Sequence, residues 1–316
     1  MAKPFPFATV QIITSMRTTS LHRLTGVLVL TALLGCGSRI SASTPTFQPL
    51  HESGTGEKHP GKFVWADLFT TDPVAATKFY TGLFGWTANT IDQKGKAYTV
   101  FSNGSVPVAG LAPRNTANTK RVSRWISYIA VTDLTATLAR VAPAGGIVRA
   151  PAREFPRRGF QAIIADAEGS PIGLLQSASG DSMDNEPKLG DWNWFELYGK
   201  DPKAAAAFYA TVFQYEVAAD TRTTRPNDYL LNTDDRSRAG VAPLPDRADA
   251  VPGWLGVVRV ADIDVALQRT TALGGEILVP ARATAYGSRF AIIADPTGGT
   301  LGLVQYDDND NPATTP

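Results

Sequence analysis

Apolar and polar positions along the chain predict a regular alternation of strands and helices between residues 61 and 306. The string FVWADLF alternates like a half-buried strand, and Asp72-Pro73 then supplies a helix N-cap with proline at the first helical position. The alanine-rich helix that follows is expected to end near Gly85. A second helix is predicted from Asp133 to Val141, and further strands at KAYTVF, PVAGLAP, WISYIAV, IVRAP, FQAIIAD and IGLLQ.

The whole pattern is repeated at one fixed offset. Trp65 matches Trp194 near the start of the two copies, and the AIIAD strings at 162–166 and 291–295 match near their ends, each pair 129 residues apart. One offset at both ends of a unit indicates duplication of an entire domain. With 43% hydrophobic residues, each domain is expected to bury a core of its own. The predicted domain boundaries are 61–177 and 190–306.

An apolar run near the N-terminus predicts export. Leu24 to Leu34 have the length of a signal peptide, follow Arg17 and Arg23, and are too few to span a bilayer comfortably. The run closes with LLGC, which resembles the lipobox of bacterial lipoproteins, and its last residue is Cys36. We therefore expect Cys36 to become the lipidated first residue of the mature protein. A plain secretory signal or a single membrane anchor is the alternative interpretation.

This interpretation predicts how the rest of the chain is held. Residues 1–35 are the signal peptide, residues 36–60 are a flexible tether rich in Ser, Thr, Gly and Pro, and residues 307–316 are a disordered polar tail. The protein would lie in the cell envelope, on a periplasmic or outer surface, and contact the membrane through its lipid only. Translation from Met16 instead of Met1 would give a signal of more usual length.

Charge and the scarce residue types exclude several classes of function. The formal net charge is +1 and no basic stripe occurs, so nucleic acid is not an expected partner. The single cysteine is Cys36, and the three histidines, His22, His51 and His59, all precede residue 61. Both domains therefore lack an imidazole or thiolate ligand, which leaves only a hard-cation site built from carboxylates.

The repeated strings resemble the vicinal oxygen chelate superfamily, which includes glyoxalase I, bleomycin-resistance proteins and extradiol dioxygenases. The resemblance rests on FVWADLFTTDPVAATKFYTGLFGW and WFELYGKDPKAAAAFYATVF, each closed by D-x-x-G-x-x-x-G-L-x-Q. It covers 61–177 and 190–306 and implies an α+β fold. Each tandem glyoxalase-like domain would consist of two βαβββ modules that form a curved sheet around a cleft.

The resemblance also implies where a metal would be held, on the first and last strands of each module. None of the side chains at those positions offers a lone pair, because indole N–H is only a donor and glycine or aliphatic groups have none. We therefore predict neither a metal nor another cofactor. The positions are Trp65, Gly110, Ile126 and Gly173 in the first domain and Trp194, Gly240, Leu255 and Gly302 in the second.

Strand geometry predicts an aromatic residue beside a carboxylate in each cleft. Residues two apart on a strand share a face, which pairs Trp65 with Asp67 and Trp194 with Glu196. A carboxylate against indole, if poorly solvated, could act as a general base. The alternative is that Asp67 and Glu196 only satisfy backbone donors or pair with an arginine. Further candidate ligand-binding residues, placed on comparable strands of the two copies, are Tyr98, Tyr229, Arg153 and Arg282.

Two functions fit these features. The first is metal-independent binding of a small apolar or aromatic molecule. The second is an enzyme of the superfamily, a lyase, isomerase or dioxygenase, that uses Asp67 and Glu196. A division of labour, with one domain binding and the other supporting it, is a third possibility. A monomer with its two domains paired is the expected assembly.

Overall fold

The computed structural model describes residues 49–50, 54–92, 97–114, 123–223, 226–246 and 250–306. The predicted signal peptide, the lipidation site at Cys36 and the predicted tail at 307–316 lie outside these residues. No helix in the described part of the chain has the length and apolar character needed to cross a membrane.

The first repeat, domain 1, consists of two βαβββ modules within its described residues. Its strands form one mixed eight-stranded sheet in the order β2-β3-β4-β1-β5-β8-β7-β6, so the modules join where β1 and β5 pair antiparallel. The first module comprises β1 (Phe63–Thr70), α1 (Pro73–Phe84), β2 (Thr87–Asp92), β3 (Ala97–Asn103) and β4 (Val106–Pro113). The second comprises β5 (Arg124–Ala130), α2 (Leu134–Val141), β6 (Ile147–Phe155), β7 (Gly159–Ala165) and β8 (Pro171–Ser177).

Domain 2 repeats this architecture, so the predicted α+β fold of two tandem domains is confirmed. Its described strands form the order β10-β11-β12-β9-β13-β16-β15-β14. The first module comprises β9 (Trp192–Gly199), α3 (Pro202–Phe213), β10 (Glu216–Ala219), β11 (Tyr229–Thr233) and β12 (Arg236–Pro243). The second comprises β13 (Gly253–Arg259), α4 (Ile263–Ala272), β14 (Glu276–Ala283), β15 (Arg289–Ala294) and β16 (Thr300–Gln305).

Local sequence accounts for the ends of the first helix in each domain. The side chain of Asp72 accepts hydrogen bonds from the first backbone N–H groups of α1, and Asp201 caps α3 in the same way. Helix α1 ends at Gly85, where its end was predicted, and this residue has the left-handed conformation with φ of 72°. Helix α3 ends in the same conformation at Gln214, with φ of 63°. The exchange of glycine for glutamine therefore leaves the path of the chain unchanged.

The two larger hydrophobic cores are shared between the domains, and only the smaller clusters around Trp65 and around Val257 lie within one domain, as expected for separate cores. Helix α1 packs on α4, and α2 packs on α3. One core combines the first module of domain 1 with the second module of domain 2, and the other core combines the remaining two modules. The reason is geometric: each helical layer has an apolar outer face that a single sheet cannot cover.

The two glycine pairs after the second helices serve this interface. The ring of Phe79 lies so close to Gly275 that a Cβ there would come within 2.6 Å of it, and Phe208 lies equally close to Gly146. Hydrogen bonds accompany this packing, because the Tyr80 hydroxyl donates to Asp295 of the other domain at 2.7 Å. The sequence predicted these glycines as turn residues, whereas they also make room for an aromatic ring of the partner domain.

The end of the predicted flexible tether is bound to domain 1. The backbone N–H of Thr55 donates to the carbonyl oxygen of Ser179 at 2.8 Å, and the N–H of His59 donates to the Asp181 carboxylate at 2.8 Å. Further back, Leu50 is 2% exposed and packs inside domain 1. The boundary placed at residue 60 was therefore too late. These contacts are tertiary, and a polar composition does not exclude them.

Candidate functional site

In each domain the sheet face opposite the helices carries the predicted pair of tryptophan and carboxylate. Alternation along β1 sends Ala66 and Leu68 into the interdomain core and turns Trp65 and Asp67 to the other face. The indole Nε1 of Trp65 donates to Asp67 Oδ1 at 2.8 Å. Trp194 Nε1 donates to Glu196 Oε2 at 2.7 Å in the second domain. In both domains the carboxylate thus accepts a hydrogen bond from the indole two residues earlier on the same strand.

Side chains of domain 1 itself fill its cleft. The Tyr98 hydroxyl donates to Asp67 Oδ1 at 2.7 Å, and the guanidinium of Arg158 lies over the Trp65 ring at 4.1 Å. Arg158 is 0% exposed. Tyr128 and the upstream Leu50 complete the filling, together with Val100 and Leu175.

The two tyrosines of this cleft are held as neutral hydrogen-bond donors. Burial raises the pKa of Tyr98 well above its usual value, and the negative charge of Asp67 raises it further. Burial and the Asp67 carboxylate raise the pKa of Tyr128 in the same direction. Asp67 is 6% exposed, so in domain 1 the predicted catalytic carboxylate has no approach for a ligand.

Domain 2 instead contains an open cavity of about 470 Å³ around its tryptophan and carboxylate. This volume lies in the range of sites for small organic molecules. Trp194 and Glu196 are half-buried, unlike their counterparts in domain 1. The aromatic and aliphatic lining includes Trp194, Tyr198, Tyr286, Phe290, Leu230, Val257 and Val304, and the charged lining consists of Glu196, Asp220, Asp228, Arg222 and Arg282.

Within the described residues, three replacements account for the more open cleft of domain 2. Tyr128 and Val257 occupy the same place, since each pairs with the tryptophan of the neighbouring strand. The repeat offset places Gly287 where domain 1 has Arg158. Asp228 occupies the position of Tyr98 in the strand register. Val100 lies two residues after Tyr98 and Leu230 lies two residues after Asp228, and each of them pairs with the equivalent glycine of the next strand. Each change substitutes a smaller side chain.

The mouth of the domain 2 cavity is bridged by a hydrogen-bonded contact between opposite edges of the sheet. The hydroxyl of Tyr286, in the loop after β14, donates a hydrogen bond of 2.6 Å to the carboxylate of Asp220, which follows β10. The Arg222 guanidinium lies over the Tyr286 ring at 4.8 Å and also pairs with Asp220. Burial favours a higher pKa for Asp220, but hydrogen bonds from Tyr286 and Arg222 outweigh it and hold that pKa below its usual value. Asp220 therefore remains a charged acceptor.

The other predicted residues divide between the two domains. Arg153 and Arg282 are both exposed, but Arg282 lies at the edge of the open cavity whereas Arg153 stacks on Phe155. Tyr229 borders the cavity, but it packs against the interdomain core. Tyr229 corresponds in register to Thr99 and not to Tyr98. Tyr229 and Thr99 each pair with the residue that directly follows the equivalent glycine of the next strand. The two tyrosines are on comparable strands but point to different faces.

Several residues of the site were missed by sequence reasoning. Arg158 and Tyr128 close the first cleft, and Asp220, Asp228 and Tyr286 shape the second. Residues that both copies share indicate the tryptophan and carboxylate of each cleft. Positions at which the side chains of the two copies differ in size indicate which cleft is open.

The metal positions implied by the superfamily do not fit a metal in this chain. The register places Gly110 beside Asp67 and Gly173 beside Tyr128, so two of the positions are glycines covered by neighbouring side chains. Gly240 and Gly302 repeat this arrangement in domain 2. Among the described residues, no three His, Cys, Asp or Glu side chains are grouped so as to hold a metal ion.

Comparison with known proteins agrees with this architecture. The model of the Glyoxalase/Bleomycin resistance protein/Dioxygenase superfamily matches residues 62–174 and 192–303. The chain is 32% identical over 250 residues to the putative glyoxylase CFP32 of Mycobacterium tuberculosis, covering 76% of this chain and 93% of that protein. It is 29% identical over 259 residues to the anthracycline biosynthesis protein DnrV of Streptomyces peucetius, covering 78% and 94%.

Solved structures share the fold at low sequence identity. The Mn(II)-bound glyoxalase from Novosphingobium aromaticivorans superimposes with a TM-score of 0.54 at 14% identity, covering 78% of this chain and 82% of that one. The 2,3-dioxygenase LapB from Pseudomonas sp. KL28 gives a TM-score of 0.54 at 12% identity, covering 78% and 93%.

Proposed function

Because the chain belongs to the glyoxalase/bleomycin resistance protein/dioxygenase superfamily, we propose that it binds a small aromatic or apolar molecule in the cleft of domain 2 without a metal. The observation that carries this proposal is the contrast between the two clefts. Domain 2 holds a cavity of about 470 Å³, whereas Arg158, Tyr128 and Leu50 fill the same region of domain 1. Domain 1 then acts as a support.

The lining of the cavity favours a ligand with a flat apolar body. Trp194 and Phe290 provide aromatic surfaces, and Val257 and Val304 provide aliphatic ones. A few polar groups, among them Glu196 and Arg282, are available to orient the ligand. The relatives named for anthracycline biosynthesis are consistent with an aromatic ligand.

An enzymatic role remains a second candidate for domain 2 alone. Glu196 borders the cavity, so it can reach a ligand and accept a proton from it. Asp67 is buried among side chains of its own domain and is excluded from this role. Loss of turnover in Glu196→Gln with ligand binding retained would identify such an enzyme.

Filling the cavity tests the binding proposal. Val257→Tyr introduces the residue that domain 1 has at this place, and Ala283→Trp fills the cavity from its exposed edge. We expect both variants to lose the ligands found by calorimetric screening of the purified full chain, and a chelator to leave binding unchanged. Val74→Tyr, at a residue that is 80% exposed, is the matched control and should bind normally. Retained binding in both filled variants would refute the location.

We further propose that the protein acts outside the cytoplasm, held by a lipid on Cys36. The apolar run before this residue and the LLGC string support the proposal. Cys36→Ser should abolish incorporation of a labelled fatty acid and move the protein from the membrane fraction to the soluble fraction. Membrane attachment that persists in Cys36→Ser would indicate a conventional anchor instead.

A further inference from the structure

We propose that Leu50 is an internal plug of the domain 1 cleft, and that small uncharged apolar molecules compete with it for this place. Domain 1 is then a second binding site, which the chain keeps closed with a residue of its own N-terminal segment. The inference goes beyond the proposed function and does not depend on the ligand of domain 2.

Leu50 reaches the cleft from outside the sheet of domain 1. It precedes β1, which begins at Phe63, and belongs to none of the described strands or helices. Its side chain is 2% exposed and packs within the small apolar cluster on the cleft face of the sheet. The other buried members of this cluster are Trp65, Tyr98, Val100, Tyr128 and Leu175. A side chain of the upstream segment thus occupies a place among residues of β1, β3, β5 and β8.

The attachment of Leu50 differs from that of the residues that follow it. Thr55 is fixed by hydrogen bonds, since its N–H donates to the Ser179 carbonyl oxygen and its hydroxyl donates to the Asp181 carbonyl oxygen, each at 2.8 Å. Leu50 is held by apolar contact, and no hydrogen bond joins it to another described residue. Apolar contacts are not directional, so Leu50 can leave the cleft while the segment from Thr55 onward stays bound.

Domain 2 shows the same cleft without such an occupant. The repeat offset of 129 residues places Ser179 at the position of Leu50. The Ser179 carbonyl oxygen is bound to Thr55, and no described residue of the segment before β9 lines the cavity of about 470 Å³ in domain 2. The segment before each domain therefore differs in what it contributes to the cleft, an apolar side chain in the first case and none in the second.

The closing effect of Leu50 lies within the range that a ligand can overcome. Burial of one leucine side chain favours the closed state by a factor of roughly 10–100, and the cost of ordering the segment reduces this factor. A small molecule that buries comparable apolar surface against Trp65 and Tyr128 can therefore replace it. Uncharged molecules are favoured, because the cluster around Leu50 consists of aliphatic and aromatic side chains.

The first test removes the plug in a chain whose domain 2 cavity is filled by Val257→Tyr. In calorimetric titration with toluene we expect Leu50→Ala to bind about tenfold more tightly than the chain with Leu50, because the leucine side chain no longer competes and its space becomes available. Leu50→Met preserves the size of the side chain and is the matched control, which should bind as weakly as Leu50.

The second test detects the release of Leu50 in the unchanged protein. Chymotrypsin cleaves after leucine where the chain is accessible, so cleavage after the buried Leu50 reports its release. A saturating concentration of toluene should accelerate this cleavage about tenfold, as measured by mass spectrometry. An ordinary ligand has the opposite effect, because it stabilises the folded protein and slows cleavage. Cleavage after Leu189, which is 51% exposed, is the control and should not accelerate.

The outcomes decide the inference separately from the domain 2 proposal. Equal affinity for toluene with leucine or alanine at position 50 would overturn the plug. Tighter binding in Leu50→Ala without faster cleavage after Leu50 in the unchanged protein would also overturn it, because Leu50 would then be a fixed core residue. If Leu50→Ala does not fold, the cleavage assay decides alone. Because Val257→Tyr fills the domain 2 cavity in the titrations, failure of the plug leaves the domain 2 site unaffected.

Discussion

A single arginine determines much of the difference between the two clefts. Arg158 is buried and stacks on Trp65, whose indole donates to the Asp67 carboxylate. The repeat places Gly287 at the corresponding position, so domain 2 has no side chain there to cover Trp194. A buried guanidinium contributes both packing area and a compensating charge.

Replacement of this arginine should therefore be costly. Arg158→Ala removes the cover of Trp65 and the nearby positive charge, and we expect the free energy of unfolding to fall by about 2–4 kcal/mol in urea titration. Arg153→Ala changes an exposed arginine of the same domain and should stay within about 0.5 kcal/mol. A loss of less than 1 kcal/mol in Arg158→Ala would show that the cleft does not depend on this residue.

The pairs of tryptophan and carboxylate could be predicted because strand alternation is a local rule. Trp65 and Asp67 are two residues apart on one strand, and their contact follows from the period of the strand. The closing of domain 1 could not be predicted in this way. Arg158 lies in the turn between β6 and β7, and its contact with Trp65 joins residues more than ninety positions apart.

At the level of the elements, one helix ends in a backbone conformation that its C-terminal residue does not favour. Helices α1 and α3 both end in the left-handed conformation, in which side chains with a Cβ are strained. Glycine meets this requirement at Gly85, whereas Gln214 adopts the same geometry at a cost. The surrounding packing of Phe213 and Tyr215 in the interdomain core maintains it.

Substitutions at Gln214 and Gly85 should change the free energy of unfolding in opposite directions. We expect Gln214→Gly to raise the free energy of unfolding by about 0.5–1 kcal/mol, after allowance for the greater freedom of glycine in the unfolded chain. Gly85→Gln should lower it, and no other atom lies within 4 Å of the added Cβ to complicate the result. Urea midpoints at unchanged slope measure both effects. A decrease in Gln214→Gly would mean that the glutamine side chain makes a stabilising contact.

Among the elements, those fixed by short-range signals were predicted well. The N-cap at Asp72 and the stop near Gly85 followed from turn residues and periodicity, whereas strand β2 was not predicted from the residues and the βαβββ order of the modules came from the family resemblance. The ordered part of the predicted tether did not follow from such signals, because Thr55 and His59 are fixed by hydrogen bonds to residues of a distant segment. The composition of a segment predicts its conformation in isolation and contains no information on hydrogen-bond partners elsewhere in the chain.

At the scale of the whole molecule, the segment between the domains carries an ionic link. Asp184 pairs with Lys62, just before β1, at 2.9 Å and with Arg238, on β12, at 2.7 Å. The side chain of Arg238 is 5% exposed. Burial favours a higher pKa for Asp184, but hydrogen bonds from Arg238 and Lys62 outweigh it and hold the pKa well below its usual value.

This link should make stability sensitive to acid. Because the folded pKa of Asp184 lies below the unfolded one, its contribution is complete above about pH 4 and is lost progressively as the pH falls further. Asp184→Asn should lower the free energy of unfolding at pH 7 by about 1–3 kcal/mol and weaken its decline in acid. The exposed pair of Asp264 with Arg289 provides the control, and Asp264→Asn should leave the urea midpoint close to that of the unchanged protein. Equal effects of the two variants would contradict a structural role for the link.

The shared cores also limit how a ligand can enter. Each core is built from one module of each domain, so rotation of the domains about a hinge would expose both apolar interiors. Entry and release of a ligand at the domain 2 cleft must then depend on local movement of the two segments that carry Tyr286 and Asp220, which are joined by a hydrogen bond. Such loop motions occur on nanosecond to microsecond timescales. Association should consequently be fast, and the residence time of a ligand should be governed by the contacts within the cavity.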